Sequence, residues 1–167
     1  MTFKSEIKQW NGKSADDILE IYNHHCEQKN FANQTIKFIE DNQLQKGATW
    51  LLKRHLENKS QLNQAQISKI FSQLNNLETW ESKLHILQSL QYLLIPKLEK
   101  DKLETFLRNC LMETNKFVKA WTYDGFYQLA KQYPEHIKET KQFFEMAMRD
   151  EPPSVISRIR NIMKKGF

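Results

Sequence analysis

Apolar residues recur along most of this chain at the spacing of one face of an α-helix. Ile67, Ile70, Phe71 and Leu74 fall at i, i+3, i+4 and i+7. Leu103, Phe106, Leu107, Cys110 and Leu111 keep the same period, as do Val155, Ile156, Ile159, Ile162 and Met163. Residues 1–13 read as irregular or loosely helical, with a boundary near Trp10 and Gly12. Ser14, with Asp17 three residues on in the capping-box position, predicts a helix over 15–28 with Ile18, Leu19 and Tyr22 as its stripe. Phe31, Ile36 and Ile39 predict a helix ending near Asn42. Trp50, Leu51, Leu52 and Leu56 predict another ending near Asn58, followed by a polar loop over 58–65.

Beyond the helix of Ile67–Leu74, Trp80, Leu84, Leu87, Leu90 and Leu94 form a face closed by Pro96. Phe117, Val118, Trp121, Gly125, Leu129 and Tyr133 form the next, closed by Pro134. Ile137, Phe143, Phe144 and Met148 precede a loop at Pro152-Pro153, where Pro suits the first turn of the last helix. Gly166 is a C-terminal stop. No sustained two-residue alternation occurs, and Asn11-Gly12 lacks the flanking strands of a hairpin. The chain reads as all-α.

The segments also repeat. Leu56, Leu90, Leu129 and Ile162 each lie near the end of a periodic segment, at spacings of 34, 39 and 33 residues. Each such segment follows another of similar length, which is the signature of stacked helical hairpins. The expected architecture is a right-handed α–α superhelix, a solenoid of about four hairpins plus an N-terminal helix. It forms one domain over 1–167, with 1–30 as a capping segment and 31–167 as repeats.

Two stretches give the repeat a family likeness. Met148-Arg-Asp150-Glu-Pro152-Pro-Ser-Val155-Ile-Ser-Arg158-Ile-Arg160 resembles the inter-helix turn of a HEAT repeat, which has an Asp, often a Pro, then a Val and a basic residue. Asn115-Lys-Phe-Val118-Lys119-Ala120-Trp121 resembles the same turn in the preceding unit, with Asn115 near the Asp position. In the later copy Ile156 follows Val155 and the basic residue arrives at Arg158. The earlier units share only the helical period and the places of large apolar residues. The resemblance covers about residues 31–167 and implies scaffolding or partner binding, since only a minority of such proteins are enzymes.

Composition narrows the picture. A chain of 167 residues can bury a core without staples, and 27% charged against 40% hydrophobic residues is a globular balance. Cys26 and Cys110 are far apart and form no disulfide framework, so the expected location is the reducing cytoplasm. The first residues, Met1 to Glu6, carry charge with no apolar run after them, so no signal peptide is expected. No run is long enough for a membrane span. The net charge of +5 permits weak attraction to nucleic acid. Such contact should be sequence-independent, with Kd about 10⁻⁴ to 10⁻⁶ M.

His24-His25-Cys26 is the one cluster that suggests a metal, but consecutive helical residues point about 100° apart and do not converge on one ion. No metal site or cofactor is expected. There is no phosphate-binding Gly loop, G-x-S-x-G elbow or HExxH, which argues against the common catalytic classes.

The candidate binding residues are Trp50, Lys119, Trp121, Tyr123, Asp124, Tyr127 and Arg158. Trp121 and Asp124 share a helical face with Phe117 and Val118, so Asp124 should be shielded and should need a partner. The simplest role for it is a hydrogen bond to a neighbouring repeat's turn. With Val118, Trp121, Gly125 and Leu129 toward the core, Tyr123 and Tyr127 fall on another face, where paired aromatics would suit an interface. Lys119 and Arg158 belong to a set of basic residues on the second helix of each hairpin, the helices that line the concave face of a solenoid.

The leading expectation is a non-catalytic scaffold or interaction module that binds another protein on that face. The alternative is a nucleic-acid-binding or DNA-repair protein. It rests on a resemblance to HEAT-like DNA-alkylation-repair glycosylases, which hold damaged DNA with a Trp and an Asp on a concave helix and an Arg nearby. Those proteins have the Asp four residues after the Trp. Here Asp124 comes three after Trp121, and the chain is shorter.

Overall fold

A computed structural model describes all residues, 1–167, and is built of α-helices and short 3-10 turns without a strand. Ten helices succeed one another: α1 (Phe3–Gln9), α2 (Ala15–His25), α3 (Phe31–Phe38), α4 (Gln45–Glu57), α5 (Gln64–Ser72), α6 (Trp80–Ser89), α7 (Lys100–Leu111), α8 (Lys116–Gln132), α9 (Ile137–Asp150) and α10 (Pro153–Met163). Their contacts cluster in two compact units, Met1–Leu93 and Leu94–Phe167.

Local chemistry sets the helix starts. The Ser14 hydroxyl accepts from Asp17 N at 3.1 Å, as its sequence position predicts. Asn115 Oδ1 accepts from Phe117 N and Val118 N and opens α8. Thr2 and Thr79 cap α1 and α6, and Asn63 forms a reciprocal capping box with Gln66. Pro153 occupies the first turn of α10, and Gly166 adopts φ +91° beyond its end.

In the first unit α1 packs on α2 and α3 on α4 as hairpins, and α5 and α6 follow as the third pair in the chain. The second helices pack side by side, α2 on α4 and α4 on α6, while α3 packs on α5. The N-terminal segment is thus a hairpin rather than a single capping helix. Residues 3–9 form the helix left undecided by their sequence because Phe3 and Ile7, one turn apart, are both buried against Ile18, Tyr22 and Phe31. Gly47 marks the closest approach of α4 to α1, since a Cβ there would lie 2.7 Å from Ile7 Cγ2.

Some elements are shorter than the periodicity predicts. Helix α2 stops at His25 and α3 at Phe38. The run that was to carry Leu94 leaves the α-helix at Ser89 and tightens into a 3-10 turn over Leu90–Tyr92. Leu94 is correspondingly exposed rather than on an apolar face.

The turns of the first unit are tied by one buried side chain. Gln45 Nε2 donates to Ile39 O at 3.0 Å and Asn76 O at 2.9 Å, and Gln45 Oε1 accepts from Glu78 N at 2.9 Å. The α3–α4 turn is thereby fastened to the segment before α6. Asn42–Glu78 and Lys46–Glu81 contacts reinforce it from outside.

In the second unit α8 is central. It packs on α7, α9 and α10, and every residue from Thr122 to Ala130 is buried. The adjoining core comprises Ala120, Tyr123, Tyr127, Phe144, Ala147, Val155, Ile159 and Ile162. Ile95 is held to the end of α8 by Gln132 Oε1, which accepts from Ile95 N at 2.8 Å, and by Tyr133 Oη, which donates to Ile95 O at 2.7 Å.

Candidate functional site

Four of the seven candidate residues gather along the seam between α8 and α10. The Arg158 guanidinium lies over the Trp121 ring, 3.9 Å from its centroid. At that distance the cation and the ring face attract, and the guanidinium plane is kept from rotating freely. Both residues remain partly exposed. Asp124, one turn further along α8, is 3% exposed. Its carboxyl is pushed above the ordinary carboxylate range by burial, and partly pulled back by the charges of Lys165 and Arg158 and by a hydrogen bond with Gln128. Its hydrogen-bond partner Gln128 is one turn along its own helix, while Lys165 and Arg158 act on it from the turn beyond α10 and from α10. The shielding of Asp124 follows the sequence expectation; Phe117 on the same predicted face does not, being exposed.

Tyr123 and Tyr127 are corrected as an exposed pair: both are buried in the second unit's core. Tyr123 stacks edge-on against Phe144 at 6.0 Å between ring centroids, and its hydroxyl reaches Glu151 Oε1 at 3.4 Å. Burial, then the Glu151 charge, raises its pKa beyond the ordinary tyrosine range. Tyr127 meets Phe167 at 5.2 Å, with Lys165 Nζ 5.7 Å from its ring. The expectation of two faces fails because α8 is packed on three sides. An amphipathic reading assumes that one side faces water.

Lys119 joins the same seam through an ion pair with Glu151 at 3.6 Å. Glu151 thus bonds both Lys119 and Tyr123, one turn apart on α8. Glu151, Lys165 and Phe167 were not among the candidate residues. Lys165 lies in the turn beyond α10, where helical spacing from Arg158 does not place it. Nothing in the sequence pointed to Phe167 as a packing residue.

Trp50 is separate from this group. It lies on α4 in the first unit, half-buried against the core of that unit. Its surroundings on α4 and α6 are charge-compensated: Lys46 pairs with Glu81 at 3.0 Å and Lys53 with Glu57 at 3.3 Å. Between α4 and α6, His85 Nδ1 lies 2.9 Å from Thr49 Oγ1, whose own proton goes to Lys46 O. Burial, together with the charges of Lys53 and Lys46, lowers the His85 pKa to about 3.

His24 and His25 do not converge on an ion site. His25 Nε2 contacts Glu6 Oε2 and its ring stacks on Phe3, while His24 is turned outward. No group of three His, Cys, Asp or Glu side chains stands close enough to hold a metal. No helix is long and apolar enough to cross a membrane.

Comparison with curated proteins and with solved structures gives no match. The helical hairpins, the two Val-containing turns and the buried tie between successive turns are the features of a helical-repeat protein. A family model for the HEAT repeat domain matches residues 7–166, and the chain belongs to the HEAT repeat family.

Proposed function

We propose that this chain is a non-catalytic interaction module that holds a protein partner on the α8–α10 surface of its second unit. The observation that carries the reading is the Arg158–Trp121 stack. Arg and Trp are over-represented among residues that dominate binding energy, and a stacked guanidinium loses less freedom on binding than a free one. The stack stays partly open, and its base is held firmly by the core beneath α8. The seam offers no nucleophile–base pair and no open carboxylate, so recognition fits it better than chemistry.

The DNA-repair alternative draws on the meeting of Trp121, Asp124 and Arg158 at one seam. Two details weigh against it. Asp124 is 3% exposed, and Arg158 already stacks on the Trp121 ring.

Affinity capture from the native cells tests the proposal, with wild-type, Trp121→Ala and Arg158→Glu baits of equal thermal stability. A protein retained by wild type and lost by both variants is the expected outcome. A capture profile unchanged by either substitution refutes the assigned surface.

A further inference from the structure

The last helix and the residues after it carry cations without acids. Several basic side chains of other helices are tied to acids, as in Lys46–Glu81, Lys53–Glu57, Lys100–Glu135 and Lys119–Glu151. Residues 152–167 contain Arg158, Arg160, Lys164 and Lys165 but no acidic residue. None of the four closes an ion pair. The apolar stripe of α10, Val155, Ile159 and Ile162, is buried, so the cations occupy the faces left over.

Two of these cations converge. Arg158 on α10 and Lys165 in the turn beyond it both reach rings of α8, Trp121 at 3.9 Å and Tyr127 at 5.7 Å, and both act on the buried Asp124, which lies between Trp121 and Tyr127 in sequence. Arg158 bonds no protein acceptor. Its ring contact occupies the flat face of the guanidinium and leaves the N–H edge free. That edge is a planar fork matched to two oxygens of one carboxylate.

We propose that the α8–α10 seam recognises a carboxylate-rich segment of the protein partner, with Arg158 as a forked receptor on its Trp121 platform and Lys165 as a second cation. This rests on the interaction-module reading above and names the chemistry of the partner. A carboxylate segment fits better than a phosphate backbone because the seam is not uniformly positive. Glu151 is fixed at the start of α10 by Lys119 and Tyr123, so the charge runs from negative at that end to positive at Lys165. A polyanion laid along the whole seam would meet Glu151. A short acidic stretch seated between Arg158 and Lys165 avoids it.

Fluorescence anisotropy with the full chain tests this. The probes are a short labelled Glu-rich peptide, its Gln-for-Glu counterpart and a labelled duplex DNA, each titrated at low and physiological salt. The Glu peptide is expected to bind and the Gln peptide not. Arg158→Lys keeps the charge but loses the fork, and should weaken the Glu peptide about tenfold, or about 1.4 kcal/mol. Lys165→Gln should weaken it less, and Lys37→Gln, an exposed cation of the first unit, should have no effect.

Equal binding of the Glu peptide by wild type, Arg158→Lys and Arg158→Gln overturns the proposal. So does the absence of Glu-peptide binding, and so does tighter, Arg158-dependent binding of DNA, which would assign the seam to phosphate. The two readings fail differently. A cellular partner lost on Trp121→Ala, beside a Glu peptide that does not bind, leaves the module standing and removes the carboxylate. Capture that ignores both Trp121 and Arg158 removes the module itself.

Discussion

Gln45 offers the sharpest test of how successive hairpins are held together. It is 2% exposed, and its amide serves two carbonyl oxygens and one N–H that belong to two different turns. Gln45→Ala leaves Ile39 O, Asn76 O and Glu78 N without their partner. An orphaned buried group costs about 1–3 kcal/mol. Ile39 is fully buried, whereas Asn76 and Glu78 lie near water that can replace part of what they lose. The higher helix propensity of Ala returns only about 0.5 kcal/mol. The expected net loss is therefore about 2–4 kcal/mol.

Gln45→Glu sharpens the test because the shape is kept and the donor is lost. An ionised carboxylate would face two carbonyl oxygens, so this variant should be less stable than Gln45→Ala at neutral pH. Its folded pKa should be raised, so part of the deficit should be recovered at acid pH and lost again as pH rises. Urea unfolding followed by circular dichroism measures both, with unchanged slopes as the control for a common denatured state. A Gln45→Ala variant within about 0.5 kcal/mol of wild type would show that the tie is incidental. A Gln45→Glu variant indifferent to pH would refute the electrostatic reasoning.

The remaining predictions concern buried ionisable groups. His85 titrates at about 3 in the folded chain against 6.5 ordinarily, so unfolding takes up a proton between those values. Its contribution is constant above pH 6.5 and is lost as pH falls, by about 1 kcal/mol per pH unit after allowance for partial exposure. Wild type and His85→Gln should diverge in stability across this window, and parallel curves would refute the assignment. For Asp124 the raised pKa means the charged form is penalised by folding. Asp124→Asn, which keeps the Gln128 bond, should be as stable as wild type or more so at neutral pH, with any gain vanishing in acid. Marked destabilisation of Asp124→Asn in thermal melts at pH 7 would mean that the carboxylate charge holds Arg158 and Lys165 in place.

The helical class, the repeat and most helix starts were legible in the sequence because they depend on neighbours along the chain. Apolar residues three and four apart need a helix to share a face. Ser14, Asn115 and Pro153 act on the backbone within one turn of themselves. The inter-helix turn at Asn115–Trp121 was recognisable for the same reason. What tertiary structure alone decided was the number of sides on which each helix is covered and which distant residue fills each gap. Helix α8 has an ordinary polar and apolar mixture, yet three neighbours cover it and bury Tyr123 and Tyr127 along with its apolar positions. The fastening of adjacent turns in the first unit falls to Gln45, which no periodicity marked. Its amide presents donor and acceptor together, as two carbonyls and an N–H require, and a carboxylate does not. Arg158 and Trp121 are separated by thirty-six intervening residues and meet only because α10 packs on α8. Periodicity assigns a residue to a face of its own helix; packing decides what that face meets.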